Sequence, residues 1–280
     1  MFESQRDLRA GNRYRHRWEM PMVYLSFAFA VFWVLLFGAL ALGRFDIPGW
    51  LSSVVMAVIG LPFVMLVTLP FKYWEEIVQS VEVSEHQYPE VWAVYQDLLA
   101  RMEVPNPPRL YIKNGNGELN AHAAKRGLRK TFIVVYSDVV DTFYELGDHD
   151  TLRFIIAHEL GHVKLGHINI RRIILRSAVQ LLYLSNTFTR AQEYSADRIA
   201  AALLVPEVSA ARSLSILYAG KRNYQSMDLA QYANLDLHHI NGFWVAVVNF
   251  LANHPVGRRR LAAANQMDTS GDWNVHGSML

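Results

Sequence analysis

Cysteine is absent from this chain of 280 residues. Its absence excludes disulfide bonds and thiolate metal sites, so any bound metal must be held by histidine and carboxylate side chains. The redox compartment stays open, because oxidising and reducing compartments both tolerate a chain without thiols. A strong charge of either sign is lacking too, since 27 basic and 25 acidic side chains leave a formal net charge of +2. No nucleic-acid partner is therefore predicted.

Charge is missing altogether from two long segments, Met20–Gly43 and Ile47–Phe71. Each exceeds the roughly 20 residues that cross the hydrocarbon core of a bilayer. The short connection between them predicts a transmembrane hairpin. A cleaved signal peptide is an alternative for the first segment, but that segment is too long for a signal core and a second one follows at once. A buried hairpin of a soluble protein is the other alternative, and the length and lack of charge argue against it.

The charges that flank the hairpin predict its orientation. Its tip carries Arg44, which Asp46 offsets, whereas five arginines precede the first span: Arg6, Arg9, Arg13, Arg15 and Arg17. The positive-inside rule places such a flank in the cytoplasm. Two crossings return the chain to that side. We therefore expect an integral protein of a bacterial cytoplasmic membrane, with the lipid bilayer as a partner and the remaining domain on the cytoplasmic side.

Two later apolar stretches are too short to span a bilayer. Ile173–Phe188 begins among arginines, and we interpret it as one buried or membrane-skimming helix. Phe243–Leu251 is shorter still, and we interpret it as part of the core.

The motif H-E-x-x-H occurs at His158–His162, within a segment of helical character. Residues four apart lie on one helical face, so His158 and His162 converge on one point, and Glu159 lies close enough to hold a metal-bound water. Catalytic zinc needs three protein ligands and one open position, so a third ligand must come from elsewhere. A chance match on an ordinary helix is the alternative. An apolar stripe around the motif, and Asp148 and Asp150 before it, favour a helix that begins there and is buried.

The segment Glu193-Tyr194-Ser195-Ala196-Asp197 offers that third ligand. A helix here would place Glu193 and Asp197 on one face. Glu193 would complete a His₂Glu set, and Asp197 could accept the free ring N–H of a ligand histidine, His158 in our interpretation. The alternative is a solvated helix with two acids on its wet face.

His167 suggests a different assignment, the third histidine of the metzincin pattern. That pattern requires glycine at 165 and histidine at 168, where this chain has Leu165 and Ile168. We interpret His167 as a helix-end histidine that meets the terminal carbonyl groups.

The composition changes after Trp74 to the mixed pattern of a folded domain. Periodicity and turn residues predict an α+β domain, mostly helical with a small sheet. Its predicted strands are Arg109–Lys113, Leu119–Ala124 and Thr131–Tyr136, and its first predicted helices are Tyr88–Met102 and Val139–Glu145. The predicted organisation is a basic cytoplasmic segment (1–19), the hairpin (20–72), the metal-binding domain (73–264) and a C-terminal tail (265–280).

Two weaker features complete the candidate site. Asn120-Ala121 lies where a strand edge could bind a substrate peptide as an added strand, although an ordinary strand is equally compatible. His254-Pro255 precedes a run of arginines that ends at Arg260. Such side chains could stabilise an oxyanion near the metal, an arginine could instead pair with Asp197, or the charges could simply lie in water.

These motifs, in this order and at this rough spacing, resemble the zinc endopeptidase family that includes the HtpX heat-shock protease and the CAAX-prenyl proteases. The resemblance covers about residues 81–264. It implies a zincin domain of the gluzincin type that binds one Zn²⁺ through His158, His162 and Glu193. It also implies that Glu159 is the general base and that His254 and Arg260 act near the reacting peptide.

One departure is that HtpX-type proteins usually carry additional apolar spans between the two metal motifs. The corresponding segment is too short for a hairpin here. Without the many spans that enclose the chamber of the CAAX enzymes, processing of prenylated substrates is not expected.

The expected function is that of a membrane-anchored zinc metalloendopeptidase. Its substrates would be peptides or proteins, membrane proteins among them, and membrane-protein quality control is a suggested role. Two alternatives stay open. One is a non-catalytic membrane protein with a structural or regulatory metal site, and the other is a zinc hydrolase of a non-peptide substrate.

Overall fold

A computed structural model describes residues 11–44, 48–104, 106–126, 130–204, 207–234 and 243–279. Its strands are β1 (Ser80–Glu82), β2 (Arg109–Lys113), β3 (Ala121–Arg126) and β4 (Lys130–Tyr136). Its first helices are α1 (Glu19–Ala41), α2 (Gly49–Val78), α3 (Pro89–Met102), α4 (Ser137–Leu146), α5 (His149–Lys164) and α6 (Ile170–Ser177). The later helices are α7 (Leu184–Leu204), α8 (Ala210–Ala219), α9 (Leu229–Asn234), α10 (Phe243–Leu251) and α11 (Gly257–Ser270).

The two apolar segments form α1 and α2, which pack against each other. Both helices are long and apolar enough to cross a bilayer. Only 6% of the most apolar window of α1 and 12% of that of α2 is buried in the protein. A core helix of a soluble protein would bury most of its apolar side chains, so this exposure is what a pair of lipid-facing helices requires. Pro62 and Pro70 lie inside α2. Membrane helices tolerate proline because neighbouring groups can satisfy the backbone carbonyls that it leaves free.

The four strands form one mixed sheet in the order β1-β2-β4-β3. β2 and β4 pair in parallel, whereas β1 pairs with β2 and β3 pairs with β4 in antiparallel fashion. β3 is therefore an edge strand. Together with the helices and the preceding apolar hairpin, this confirms the predicted fold class, a mostly helical α+β domain of the zincin type.

The core is formed between the sheet and α5, with α3, α4, α7 and α8 around that helix. α5 is buried on nearly all sides from Thr151 to Gly161. α7 is buried along most of its length as well. These two adjacent helices carry the two predicted metal motifs.

Both ends of the described chain pack on this domain. Arg198 of α7 donates to the carbonyl oxygen of Arg15 at 2.7 Å. The segment 265–280, predicted as a tail, instead continues α11 as far as Ser270. Beyond it, Tyr194 Oη donates to the carbonyl oxygen of Ser278 at 3.1 Å. The C-terminal residues therefore pack on the domain and are not a separate tail.

Two interpretations of short apolar stretches were wrong. Residues 173–188 do not form one helix, because α6 ends at Ser177 and α7 begins after Tyr183, whose φ of 56° interrupts helical geometry. α10 is not part of the core, since Trp244 is 74% exposed. Among the described side chains of this helix, the polar Asn249 is buried, and it donates to the carbonyl oxygen of Met279 at 2.9 Å. The side of α10 that carries Asn249 therefore meets the domain.

Some predicted features lie outside the described residues. They are the first ten residues of the basic N-terminal segment, with Arg6 and Arg9, the hairpin tip at 45–47, with Asp46, the middle of the turn between β3 and β4, and the last residue of the chain.

Candidate metal centre and cleft

Asp148 caps the helix that carries the H-E-x-x-H motif. Its Oδ1 accepts from the backbone N–H of Thr151 at 2.9 Å, and its Oδ2 accepts from the Thr151 hydroxyl at 2.7 Å. This cap satisfies one of the free N–H groups at the start of α5. The helix then presents His158 and His162 on one face, toward α7.

Gly161, inside the motif, lets α5 and α7 approach closely. A Cβ atom at this position would lie 2.6 Å from Cγ2 of Ile199 and 3.4 Å from the Cα of Ala196. Only a residue without a side chain fits against Ile199 at that distance. The small residues Gly161 and Ala196 thereby bring Glu193, one turn before Ala196, up to the two histidines.

His158, His162 and Glu193 form a group whose ligand atoms all lie within 4.8 Å of one another. The two Nε2 atoms are 3.1 Å apart. Glu193 Oε2 lies 3.6 Å from Nε2 of His158, and its Oε1 lies 3.4 Å from Nε2 of His162. Ligands at zinc bond lengths in a tetrahedron are about 3.3 Å apart. Both the donor set and its spacing therefore fit a zinc ion.

Asp197 and Arg260 support the first of these histidines from behind. Oδ1 of Asp197 lies 2.8 Å from Nδ1 of His158, the ring nitrogen that faces away from the group. Arg260 donates to both oxygens of Asp197, from Nε at 2.7 Å and from Nη2 at 2.8 Å. Nη1 of Arg260 also lies 3.4 Å from Oε2 of Glu193. Of the alternatives for this arginine, the contacts match the one in which it pairs with Asp197.

The electrostatics of the group favour a cation. Burial raises the pKa of Glu193, but hydrogen bonds from His158, His162 and His254 outweigh it and hold that pKa well below the usual range. Burial likewise raises the pKa of Asp197, and Arg260 outweighs it in the same way. Two buried carboxylates face one guanidinium. Once the imidazoles are neutral, as metal ligation requires, the group carries a net negative charge.

Glu159 points to a cleft of about 480 Å³ that His158, His162 and Glu193 also line. Its side chain is 6% exposed. Among the described residues, no hydrogen bond or ion pair engages its carboxylate. A carboxylate that is nearly buried yet unpaired is free to take a proton from a molecule in the cleft.

The edge strand β3 forms one wall of this cleft, and Leu217 and Tyr218 near the end of α8 form part of another. Asn120, just before the strand, and Ala121, its first residue, both line the cleft. Oδ1 of Asn120 accepts from the backbone N–H of Ala121 at 2.9 Å. A strand edge that lines a cleft beside His158, His162 and Glu193 suits the binding of an extended peptide.

His254 reaches the group from the loop before α11. Its Nδ1 lies 3.1 Å from Oε2 of Glu193, and its side chain is 68% exposed. The hydrogen bond to Glu193 raises the pKa of His254. His254 thus combines a contact with a predicted ligand and access to solvent.

His167 does not behave as predicted. Its side chain does not meet the terminal carbonyl groups of α5, because Nδ1 of His167 lies 2.8 Å from Nδ1 of His162. Sequence reasoning missed this contact, since Gly166, at φ 69°, turns the chain back on itself after the helix. The sequence analysis also assigned no contact to Ser195, although it lies inside the second motif between Glu193 and Asp197. Its hydroxyl donates to Oε2 of Glu19 at 2.6 Å.

Comparison with known proteins agrees with this geometry. The profile of peptidase family M48 matches residues 85–184, which include the H-E-x-x-H motif. A profile described as an IrrE N-terminal-like domain, of peptidase family M78, matches residues 148–232, which include both motifs. A protease HtpX homologue of Pseudarthrobacter chlorophenolicus is 31% identical over 144 residues, or 48% of this chain and 45% of its own. Over these residues the chain is similar to HtpX-like proteases of peptidase family M48.

A second protease HtpX homologue, from Pediococcus pentosaceus, is 26% identical over 105 residues, or 37% of this chain and 33% of its own. The HtpX-like chain thus spans less than half the length of these curated relatives. No solved structure matches it significantly. The resemblance recognised from the motifs is confirmed at the level of the family, whereas the role of each site residue stays a prediction.

Proposed function

We propose that this HtpX-like chain is a membrane-anchored zinc metalloendopeptidase. The observation that carries the proposal is the buried group of His158, His162 and Glu193 at the floor of a cleft, with the unpaired carboxylate of Glu159 beside it. Three protein ligands and an accessible fourth direction are typical of catalytic rather than structural zinc.

A zinc ion held by these three side chains would supply Lewis-acid chemistry and lower the pKa of a bound water to about 7. Glu159 is the general base in this proposal: it takes the proton of the attacking water and gives it to the amine that leaves. Its freedom from other partners among the described residues supports this role. Asp197 holds the ring of His158 in one orientation through Nδ1, and Arg260 holds Asp197.

The substrate in this proposal is an extended peptide that adds to the edge of β3 near Asn120 and Ala121. In this proposal His254 donates a hydrogen bond to the oxyanion of the reaction, and its exposure within the cleft supports this role. Arg260 is buried and committed to two carboxylates, so we assign it a positioning role instead.

The proposed arrangement places the domain and the N-terminus on the same, cytoplasmic side of a bacterial cytoplasmic membrane. The contact between Arg198 and the carbonyl oxygen of Arg15 supports it, since residues just before α1 can touch the domain only if both lie on one side. α1 and α2 then form the hairpin that anchors residues 73–279 to the bilayer. Membrane proteins are accordingly accessible as substrates, and their quality control is the role we suggest.

Two other functions are compatible with a metal in this place. A structural or regulatory site has no need of a free carboxylate beside the ligands, and Glu159 argues against it. A zinc hydrolase of a non-peptide substrate would share the ligands and the base. The accessible strand edge favours a peptide over that alternative.

The test uses Glu159→Gln in the full-length protein purified in detergent. We expect one equivalent of zinc by elemental analysis, as in the unchanged protein, and loss of casein hydrolysis, because the base is removed and the ligands are kept. His162→Ala should lose both the zinc and the casein hydrolysis, because it removes a predicted ligand.

Glu145→Gln is a matched control, since Glu145 lies on the neighbouring helix α4, away from the cleft. Its carboxylate accepts from Nζ of Lys221 in an exposed contact. It should retain both zinc and activity. Undiminished hydrolysis by Glu159→Gln would remove the base assignment. Hydrolysis that survives removal of the metal by a chelator would remove the metallopeptidase proposal itself.

A further inference from the structure

We propose that Glu19, the first residue of the first apolar helix, is a positioning residue for the metal site and acts on the ligand His162 through His167. This inference rests on the zinc site proposed above. It adds a second outer contact to the site, behind His162, whereas Asp197 and Arg260 lie behind His158.

The first link joins two imidazole rings. Nε2 of His162 faces the metal group, 3.1 Å from Nε2 of His158. Its other ring nitrogen, Nδ1, lies 2.8 Å from Nδ1 of His167. His167 is 6% exposed, so water does not compete for this contact.

The roles of donor and acceptor follow from the metal ligand. A histidine that ligates through Nε2 carries its proton on Nδ1, so His162 donates and Nδ1 of His167 accepts. The proton of His167 then lies on Nε2. That atom is buried and has no hydrogen-bond partner of good geometry among the described residues, and Oε1 of Glu19 faces it at 3.3 Å.

Glu19 is held in place from several directions. It is completely buried, and its Oε1 is also contacted by the guanidinium groups of Arg15 and Arg172. Its Oε2 accepts from the hydroxyl of Ser195 at 2.6 Å. Since Ser195 lies between Glu193 and Asp197 on α7, the carboxylate is fixed to the helix that carries the third ligand.

The chain of contacts therefore runs from a carboxylate through one imidazole to the other. A carboxylate behind a ligand histidine fixes its ring orientation and raises its basicity, and here His167 extends the reach of the carboxylate by one ring. Glu19 is also the first residue of α1. The metal site is thereby joined to the membrane anchor, so that displacement of α1 would alter the support of His162.

The test measures zinc affinity of full-length variants in detergent, by competition with a fluorescent chelator. Glu19→Gln keeps the size of the side chain and removes its charge. His167→Asn places an amide oxygen near the position of Nδ1, which keeps an acceptor for His162 and removes the link to Glu19. His167→Leu removes both links.

We expect Glu19→Gln and His167→Asn to bind zinc about 10-fold more weakly and His167→Leu up to about 100-fold, the range for loss of outer contacts to a metal ligand. The absorption spectrum of the Co²⁺-substituted protein should shift in the same order, because the ligand field of His162 changes.

Glu76→Gln is the matched control. Glu76 lies near the end of α2 and pairs with Nζ of Lys113 at 2.8 Å, away from the site. It should leave zinc affinity and the Co²⁺ spectrum unchanged. The melting temperature of each variant is recorded with and without zinc. A general loss of stability lowers the melting temperature in both states. A loss of metal support reduces only the rise in melting temperature that zinc gives.

The outcomes separate the two proposals. Unchanged zinc affinity and spectrum in Glu19→Gln, with zinc lost in His162→Ala, overturns the positioning role and keeps the zinc site. Equal effects of His167→Asn and Glu76→Gln overturn the positioning role as well. If His162→Ala binds zinc as well as the unchanged protein, the site itself is wrong and both proposals fail.

Discussion

Gly161→Ala tests the close contact of the two motif helices. The added methyl group would lie 2.6 Å from Cγ2 of Ile199, closer than side chains approach in folded proteins. Overpacking of this kind costs about 1–3 kcal/mol. Alanine regains roughly 0.5–1 kcal/mol because it is a better helix former than glycine. We therefore expect a net loss of about 1 kcal/mol in the free energy of unfolding.

The substitution should also weaken metal binding, because α7 can relieve the clash only by moving away from α5 and taking Glu193 with it. The expected fall in zinc affinity is about tenfold, on the scale of outer-contact changes. Denaturant unfolding of the metal-free protein measures the first effect, and chelator competition measures the second. Gly60→Ala is the control, since a methyl group there meets nothing within 4 Å.

A second substitution shows whether the clash is the cause. Ile199→Ala removes the atom that the new methyl group would strike, and it costs about 2–5 kcal/mol by itself because Ile199 is completely buried. The double variant should be at least about 1 kcal/mol more stable than the sum of the single changes predicts. Strict additivity, or a Gly161→Ala variant that is more stable than the unchanged protein and binds zinc equally well, would refute the reasoning.

Two further predictions concern the brace behind His158 and the orientation in the membrane. Arg260→Gln should lower the free energy of unfolding by about 3–5 kcal/mol, because it leaves the buried carboxylate of Asp197 without its guanidinium partner. Adding Asp197→Asn to Arg260→Gln should restore part of that stability in denaturant unfolding but not the zinc affinity, and a double variant less stable than Arg260→Gln alone would contradict this account. Because the chain has no cysteine, single cysteines can report topology without background. Arg44→Cys at the hairpin tip should react with an impermeant maleimide added to intact cells and His86→Cys in the domain should not, and the reverse pattern would overturn the proposed orientation.

Local patterns predicted the elements of the fold well. The two uncharged runs became α1 and α2, and the predicted strand Arg109–Lys113 has the same bounds in the structure. Such features depend on residues close together in the chain, so hydrophobic length and period suffice to predict them. The failures at 173–188 and in α10 arise where an apolar stretch is short, because its composition does not say whether a turn interrupts it or which face meets the domain.

The shared helical face of His158 and His162 could also be predicted, since a spacing of four residues places two side chains on one face whatever surrounds it. The partners of Arg260 and the side-chain contact of His167 could not. An arginine after a His-Pro pair is compatible with an oxyanion, a carboxylate or water as its partner, and only the packing of α11 against α7 selects Asp197.

The amino-acid sequence by itself determined two apolar helices, a small sheet and two helical motifs with the donor atoms of a zinc site, because each follows from local spacing and composition. Only the tertiary structure decided that Gly161 brings the motifs together, that the chain before α1 docks on α7, and that Glu19 lies behind His167 and His162. These contacts join residues far apart in the chain, and burial between packed helices, which no local pattern records, determines them.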